Sequence, residues 1–202
     1  MTLVKSVLLS LLLAASALVL PISKAQATPI LITDNGQLIG ADNINVDGSF
    51  FDVRFVDGAC ADLFGGVCSR SNFTFQTQAD GISAAAAIVD QIFNSAAGNP
   101  FNLDPSLTFG CSSVVSCQIF IPINIFPGLL LNSAIAGNPT GPNASFGATT
   151  NIRATDSLAL SSNSVFASFT PSVAATVAEP SAILILLGGI FGLWIKRRQV
   201  NN

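Results

Sequence analysis

The chain has 202 residues, half of them apolar and only 9% charged, with a net charge of −3. Between residues 28 and 177 ten aspartates face three arginines and no lysine, a balance that cannot neutralise a phosphate backbone and argues against nucleic-acid partners. The same stretch has no His, Glu, Tyr, Trp or Met, which removes the Ser-His and Cys-His nucleophile systems, histidine metal sites and the commonest general base.

At the N-terminus Lys5 precedes an apolar run from Val7 to Leu20, and Pro21 ends it. Ala25-Gln26-Ala27 then places small residues, Ala25 and Ala27, at the two positions a signal peptidase reads. The pattern predicts a signal peptide over 1–27 with cleavage after Ala27. A retained transmembrane helix is the competing reading, and the run is short for one.

Residues 28–171 have the length of one domain. Asn43–Val46 and Ser49–Val56 flank Asp47-Gly48, a dipeptide that accepts the positive φ of a tight turn; a hairpin is expected, with Phe51, Val53 and Phe55 on one face. Asn43, Asn45, Asp47 and Gly48 also match the opening of a calcium loop. Counting on from Asn43, however, puts Arg54 where the bidentate acid should stand. The acids at 42, 47, 52, 57 and 62 recur at an interval that alternates strand faces, as solvated edges and turns do.

Helical spacing of Ile82, Ala85, Val89, Ile92 and Phe93 predicts a helix over 82–96, capped by Asp80 or Ser83 and stopped by Gly98 and Pro100. A second hairpin is expected from Leu107–Cys111 and Cys117–Ile125, with Pro122 at an edge or a bulge. Residues 132–163, rich in Ser, Thr, Asn, Gly and Ala, predict short strands and loops, and Phe166–Thr170 a closing strand. The whole predicts an α+β domain, mainly antiparallel β-sheet with one main helix, beside a signal helix and a C-terminal membrane helix.

Four cysteines allow three pairings, of which local closure favours Cys60–Cys68 and Cys111–Cys117. Their C-x7-C and C-x5-C spacings differ from the C-x2-C pairs of zinc and redox motifs, so a structural role is expected. No catalytic, metal or cofactor residue is assigned. Asn72-Phe73-Thr74 and Asn143-Ala144-Ser145 match the glycosylation pattern and read as ordinary surface polar residues.

A linker over 172–178 leads to Glu179-Pro180-Ser181, the uncharged run Ala182–Ile195, and Lys196-Arg197-Arg198. Fourteen residues at ~1.5 Å each span about 21 Å, short of the ~30 Å hydrocarbon core; snorkelling of Lys196 and Arg197, with Trp194 at the interface, narrows the gap. A single-span anchor results. The positive-inside rule leaves the basic cluster and residues 199–202 in the cytoplasm and the domain outside. Gly188 and Gly192 have Gly-x-x-x-Gly spacing, which is common among tails of this kind.

The order of these three parts resembles the PEP-CTERM sorting tail of Gram-negative bacteria over about the last 25 residues of the chain. Glu179 and Pro180 match its core dipeptide, and Ala178 stands where that family usually has its first proline. The resemblance implies recognition by exosortase, a membrane-embedded cysteine transpeptidase, at Glu179, Pro180, Ser181, Lys196, Arg197 and Arg198, in organisms that build exopolysaccharide or biofilm matrix. The segment Phe51–Cys60, with Gly65-Gly66-Val67-Cys68, resembles part of exported proteins that carry this tail, and names no activity.

The expectation is a non-catalytic surface or matrix protein: exported, anchored in the inner membrane with its domain outside, and passed on to the cell surface or matrix. Its expected partners are signal peptidase, an exosortase-type enzyme, the membrane and exopolysaccharide. A glycan-binding module, and a glycoside-acting enzyme using Asp52, Asp57 and Asp62, are the alternatives.

Overall fold

A computed structural model describes residues 28–172, apart from residue 67, residues 95–98 and residues 142–143. The signal and tail residues named above therefore lie outside the described residues. Strands β1 (Ile30–Asp34), β2 (Gln37–Val46) and β3 (Ser49–Val56) come first, followed by the short helix α1 (Cys60–Leu63) and the main helix α2 (Gln78–Ile88). After the one-turn helix α3 (Pro100–Leu103) come β4 (Ser116–Phe126), β5 (Leu130–Pro139), β6 (Ser145–Arg153) and β7 (Ser164–Pro171).

All seven strands form one sheet in the order β1-β2-β3-β7-β4-β5-β6. Every neighbouring pair is antiparallel except β4 and β7, which run parallel through Gln118–Ser164, Ile119–Val165 and Phe120–Phe166. α2 touches β2 and also β4, β5 and β6. Strands so far apart in the sheet reach one helix because the sheet curls around it as a half-barrel. The α+β expectation, antiparallel-rich with one main helix, therefore holds for the described residues.

The concave face carries the main core. Alternation along each strand sends Ile119, Ile121 and Ile123 from β4, and Val165, Ala167 and Phe169 from β7, towards Ala84, Ala85, Ile88, Val89, Ile92 and Phe93. Small residues let helix and sheet approach closely. Ala134 and Ala136 of β5 lie under α2, and a Cβ added to Gly81 would stand 2.5 Å from Ile123 Cδ1. The convex face has its own core of Cys60, Phe73, Phe120, Leu131, Ala154, Leu158 and Phe166. Phe64 meets Phe73 and Phe166 edge-on above it.

The first hairpin forms as expected. Asp47 and Gly48 take φ of +50° and +87°, and Phe51, Val53 and Phe55 all pack on the concave core. An additional hairpin precedes it, turning at Asn35-Gly36 with φ of +47° and +81°. β2 carries a bulge between Ala41 and Ile44, where Asn43 takes φ +60° and its N–H donates to Asp52 Oδ1 at 3.1 Å. The calcium-loop match is thus a bulge and a turn.

Three expectations are corrected. α2 begins at Gln78, and its cap is Thr77, which accepts from the Asp80 N–H at 3.2 Å; Asp80 and Ser83 lie inside the helix. The helix continues as a π-helical turn, Val89–Phe93, which sets Gln91 against β2. Leu107–Cys111 forms no hairpin with β4: it follows on from the 3-10 turn Pro105–Leu107 and makes a single parallel bridge, Leu38 to Thr108, while β4 pairs with β5 and β7. Residues 132–163 hold most of the ten-residue β5 and all of the nine-residue β6.

Pro122 lies at a bulge of an interior strand. The parallel ladder with β7 ends at Phe120, before proline's missing donor would break it.

Candidate functional site

The two ends of the described chain leave the sheet on the same side. β7 runs antiparallel to β3, so Pro171 lies opposite Phe51, beside the Asp47-Gly48 turn. Ser172 extends that ladder: its N–H donates to Phe50 O at 2.9 Å, and its hydroxyl donates to Asp52 Oδ1. Because β4 is parallel to β7, its last residue, Phe126, points to the same end, as do Leu130 of β5 and Arg153 of β6. Ile30 pairs with Asp42, so residues 28 and 29 lead off towards this end as well. The chain segments that carry the predicted cleavage and sorting signals are thereby joined to one pole of the domain.

A small hollow of about 180 Å³ opens at this pole, lined by Val46, Asp47, Ser49, Phe51, Phe75 and Asp80. The Phe51 and Phe75 rings meet edge-on at 5.2 Å, with Phe169 behind them at 6.2 Å and 5.0 Å. The Thr74 hydroxyl, donating to Phe169 O at 2.6 Å, holds the Phe73–Phe75 segment along β7. Two exposed carboxylates, Asp47 and Asp80, stand at the rim of this aromatic floor. Sequence reasoning placed Phe51 in a core face and missed Phe75, which lies outside any strand or helix and so carries no periodicity to mark it.

A second cleft, of about 400 Å³, lies at the opposite pole between Gln37, Gly110, Cys111, Ser112 and the turn Ala159–Ser162. Close to it Asp57 has one carboxylate oxygen buried with no hydrogen-bond partner. Burial pushes its carboxyl above the ordinary aspartate value, and the Gly58 backbone hydrogen bond offsets part of that rise.

Asp52 and Asp57 are not brought together. Asp52 accepts from Asn43 and Ser172 at one pole, while Asp57, five residues along, follows the other end of β3, about 16 Å away at strand rise. Asp62 is exposed in α1. A glycosidase pair needs its carboxyls within ~5–10 Å.

Cys60 is bonded to Cys68 and Cys111 to Cys117, the pairing that local closure favoured. The first bridge closes the loop that covers the convex core, and the second ties the approach to β4 into the concave core. Both are compatible with an extracellular location. Among the described residues no His, Cys, Asp and Glu group is placed to hold a metal ion, and no helix is long and apolar enough to cross a membrane.

No family model, curated protein or solved structure matches the chain.

Proposed function

We propose that the chain is a non-catalytic cell-surface or matrix protein, exported through residues 1–27, held by the apolar run 182–195 and sorted through Glu179-Pro180-Ser181 and Lys196-Arg197-Arg198 by an exosortase-type transpeptidase. The observation that carries this reading is the ordered tail, a Glu-Pro dipeptide, an apolar run and a basic cluster, following a domain closed by two disulfides. The test is the intact mass of the native protein from membrane and extracellular fractions. Export and processing require a product that starts at Thr28 and ends near Glu179 or Pro180. A product that retains Lys196-Arg197-Arg198 in every fraction rejects the transpeptidase and leaves a simple anchor; one that retains Met1 in the cytosol rejects export.

A second reading, exopolysaccharide binding, is favoured by the phenylalanine-floored hollow. Aromatic rings take the C–H face of a sugar, and the rim carboxylates of Asp47 and Asp80 accept from its hydroxyls. Retention on host polysaccharide that Asp47→Asn with Asp80→Asn abolishes supports it; unchanged retention rejects the hollow.

A further inference from the structure

The β4–β5 turn presents a cluster of large apolar residues to solvent: Phe126, Leu129 and Leu130 are 42%, 54% and 38% exposed. Leu129 also holds φ +59°, a left-handed backbone rare for a bulky residue. The turn is held in this form, because Leu129 O accepts the Ala154 N–H at 2.8 Å. Exposed leucine on a constrained backbone contributes little to the fold, and such combinations belong to contact surfaces.

Its place in the sheet identifies the contact. The parallel β4–β7 pairing puts this turn at the pole where Ser172 leads into the tail. Ten residues separate Ser172 from Ala182, where the apolar run begins, so a membrane anchor there keeps this pole within about 35 Å of the bilayer even when the linker is fully extended. Tethering at that range raises the effective concentration of lipid at the turn, so an interaction too weak to recruit a free domain suffices. Arg153, exposed and paired with Leu130, is the cation beside the turn and stands where lipid phosphates would meet it.

We infer that the β4–β5 turn is a membrane-contact tip: Phe126, Leu129 and Leu130 enter the headgroup and upper acyl region of the bilayer that holds the tail, and fix the domain with this pole downward. The inference rests on the proposed anchor, and the experiment separates the two. The full chain, as Leu129→Trp on a Trp194→Phe background, is reconstituted into phosphatidylethanolamine–phosphatidylglycerol vesicles with brominated acyl chains. Phe126→Trp on the same background is a second reporter, and Leu160→Trp the control. Leu160 is 92% exposed and precedes β7, at the opposite pole with Val114 and Val115, so apolar exposure alone does not distinguish the sites.

The expected result is co-flotation with the vesicles and a several-fold larger loss of emission at positions 126 and 129 than at 160. Co-flotation with no quenching at either tip position, or with equal quenching at all three, overturns the tip and leaves the anchor standing. Failure to float overturns the anchor and the tip with it. Emission at 129 that shifts with protein concentration, without lipid quenching, assigns the surface to a second copy and also overturns the inference.

Discussion

Gly81 sits in the first turns of α2 at its closest approach to the sheet. Replacing it with alanine sets two effects against each other. Alanine favours a helix over glycine by about 1 kcal/mol. The new methyl would stand 2.5 Å from Ile123 Cδ1, 2.6 Å from Ile123 Cγ1 and 3.5 Å from Ala134 Cβ, and overpacking of this kind costs roughly 1–3 kcal/mol. Gly81→Ala is therefore expected to destabilise by about 1 kcal/mol net. Ile123→Ala removes both clashing carbons and alone costs about 2–5 kcal/mol. In that background the Gly81 methyl enters vacated space, and the same substitution becomes stabilising by about 1 kcal/mol. Urea unfolding of the segment 28–172, followed by far-UV circular dichroism for the four proteins of the cycle, measures a coupling of about 2 kcal/mol. A Gly81→Ala effect of the same sign in both backgrounds refutes the close helix–sheet contact.

Asp57→Asn should raise the midpoint of thermal unfolding at neutral pH. Asp57 has a raised folded-state value, so the folded chain gains stability relative to neutral pH as the carboxyl protonates, and loses it as pH rises from the ordinary value of 3.8 through the raised one; the variant's advantage should vanish below pH 3.8. Cys60→Ala with Cys68→Ala should cost about 2.5 kcal/mol in denaturant unfolding, the loop-closure contribution of a nine-residue loop. Gln91→Leu should cost about 2 kcal/mol and speed amide exchange at Asn45 in NMR, because Gln91 Oε1 accepts from the Asn45 N–H at 2.9 Å and its Nε2 donates to Asn45 O at 2.7 Å. Those Asn45 groups lie beyond the β1 ladder, which ends at Asp42, and the glutamine amide takes the place of the missing strand.

Legibility in the sequence followed the range of the forces involved. The Asp47-Gly48 turn, the alternation of Phe51, Val53 and Phe55, and the helical spacing from Ile82 to Phe93 are local, and local patterns specified them. β5 was obscured because its residues facing the helix are Ala134 and Ala136, small side chains chosen by the closeness of α2 rather than by strand propensity. The parallel contact of β4 with β7 depends on register between segments more than forty residues apart, and no local spacing encodes it. The hollow was half legible: Phe51 and Asp47 belong to one hairpin, whereas Phe75 and Asp80 reach it from another part of the chain. Asn35-Gly36 was a readable turn signal, and it marks the hairpin that the pattern of apolar residues alone did not suggest.

β7 is the last strand among the described residues, yet it occupies the middle of the sheet. The strands before it fall into two groups, β1–β3 and β4–β6, and β7 is the piece that hydrogen-bonds to both. If the domain is exported as proposed, a chain threaded from its N-terminus can build each group as it emerges, but the sheet cannot close across them until β7 is through. On that route the sheet is complete only once Pro171 has emerged, and a chain truncated before residue 164 would keep both strand groups packed on α2 but lack the strand that joins β3 to β4.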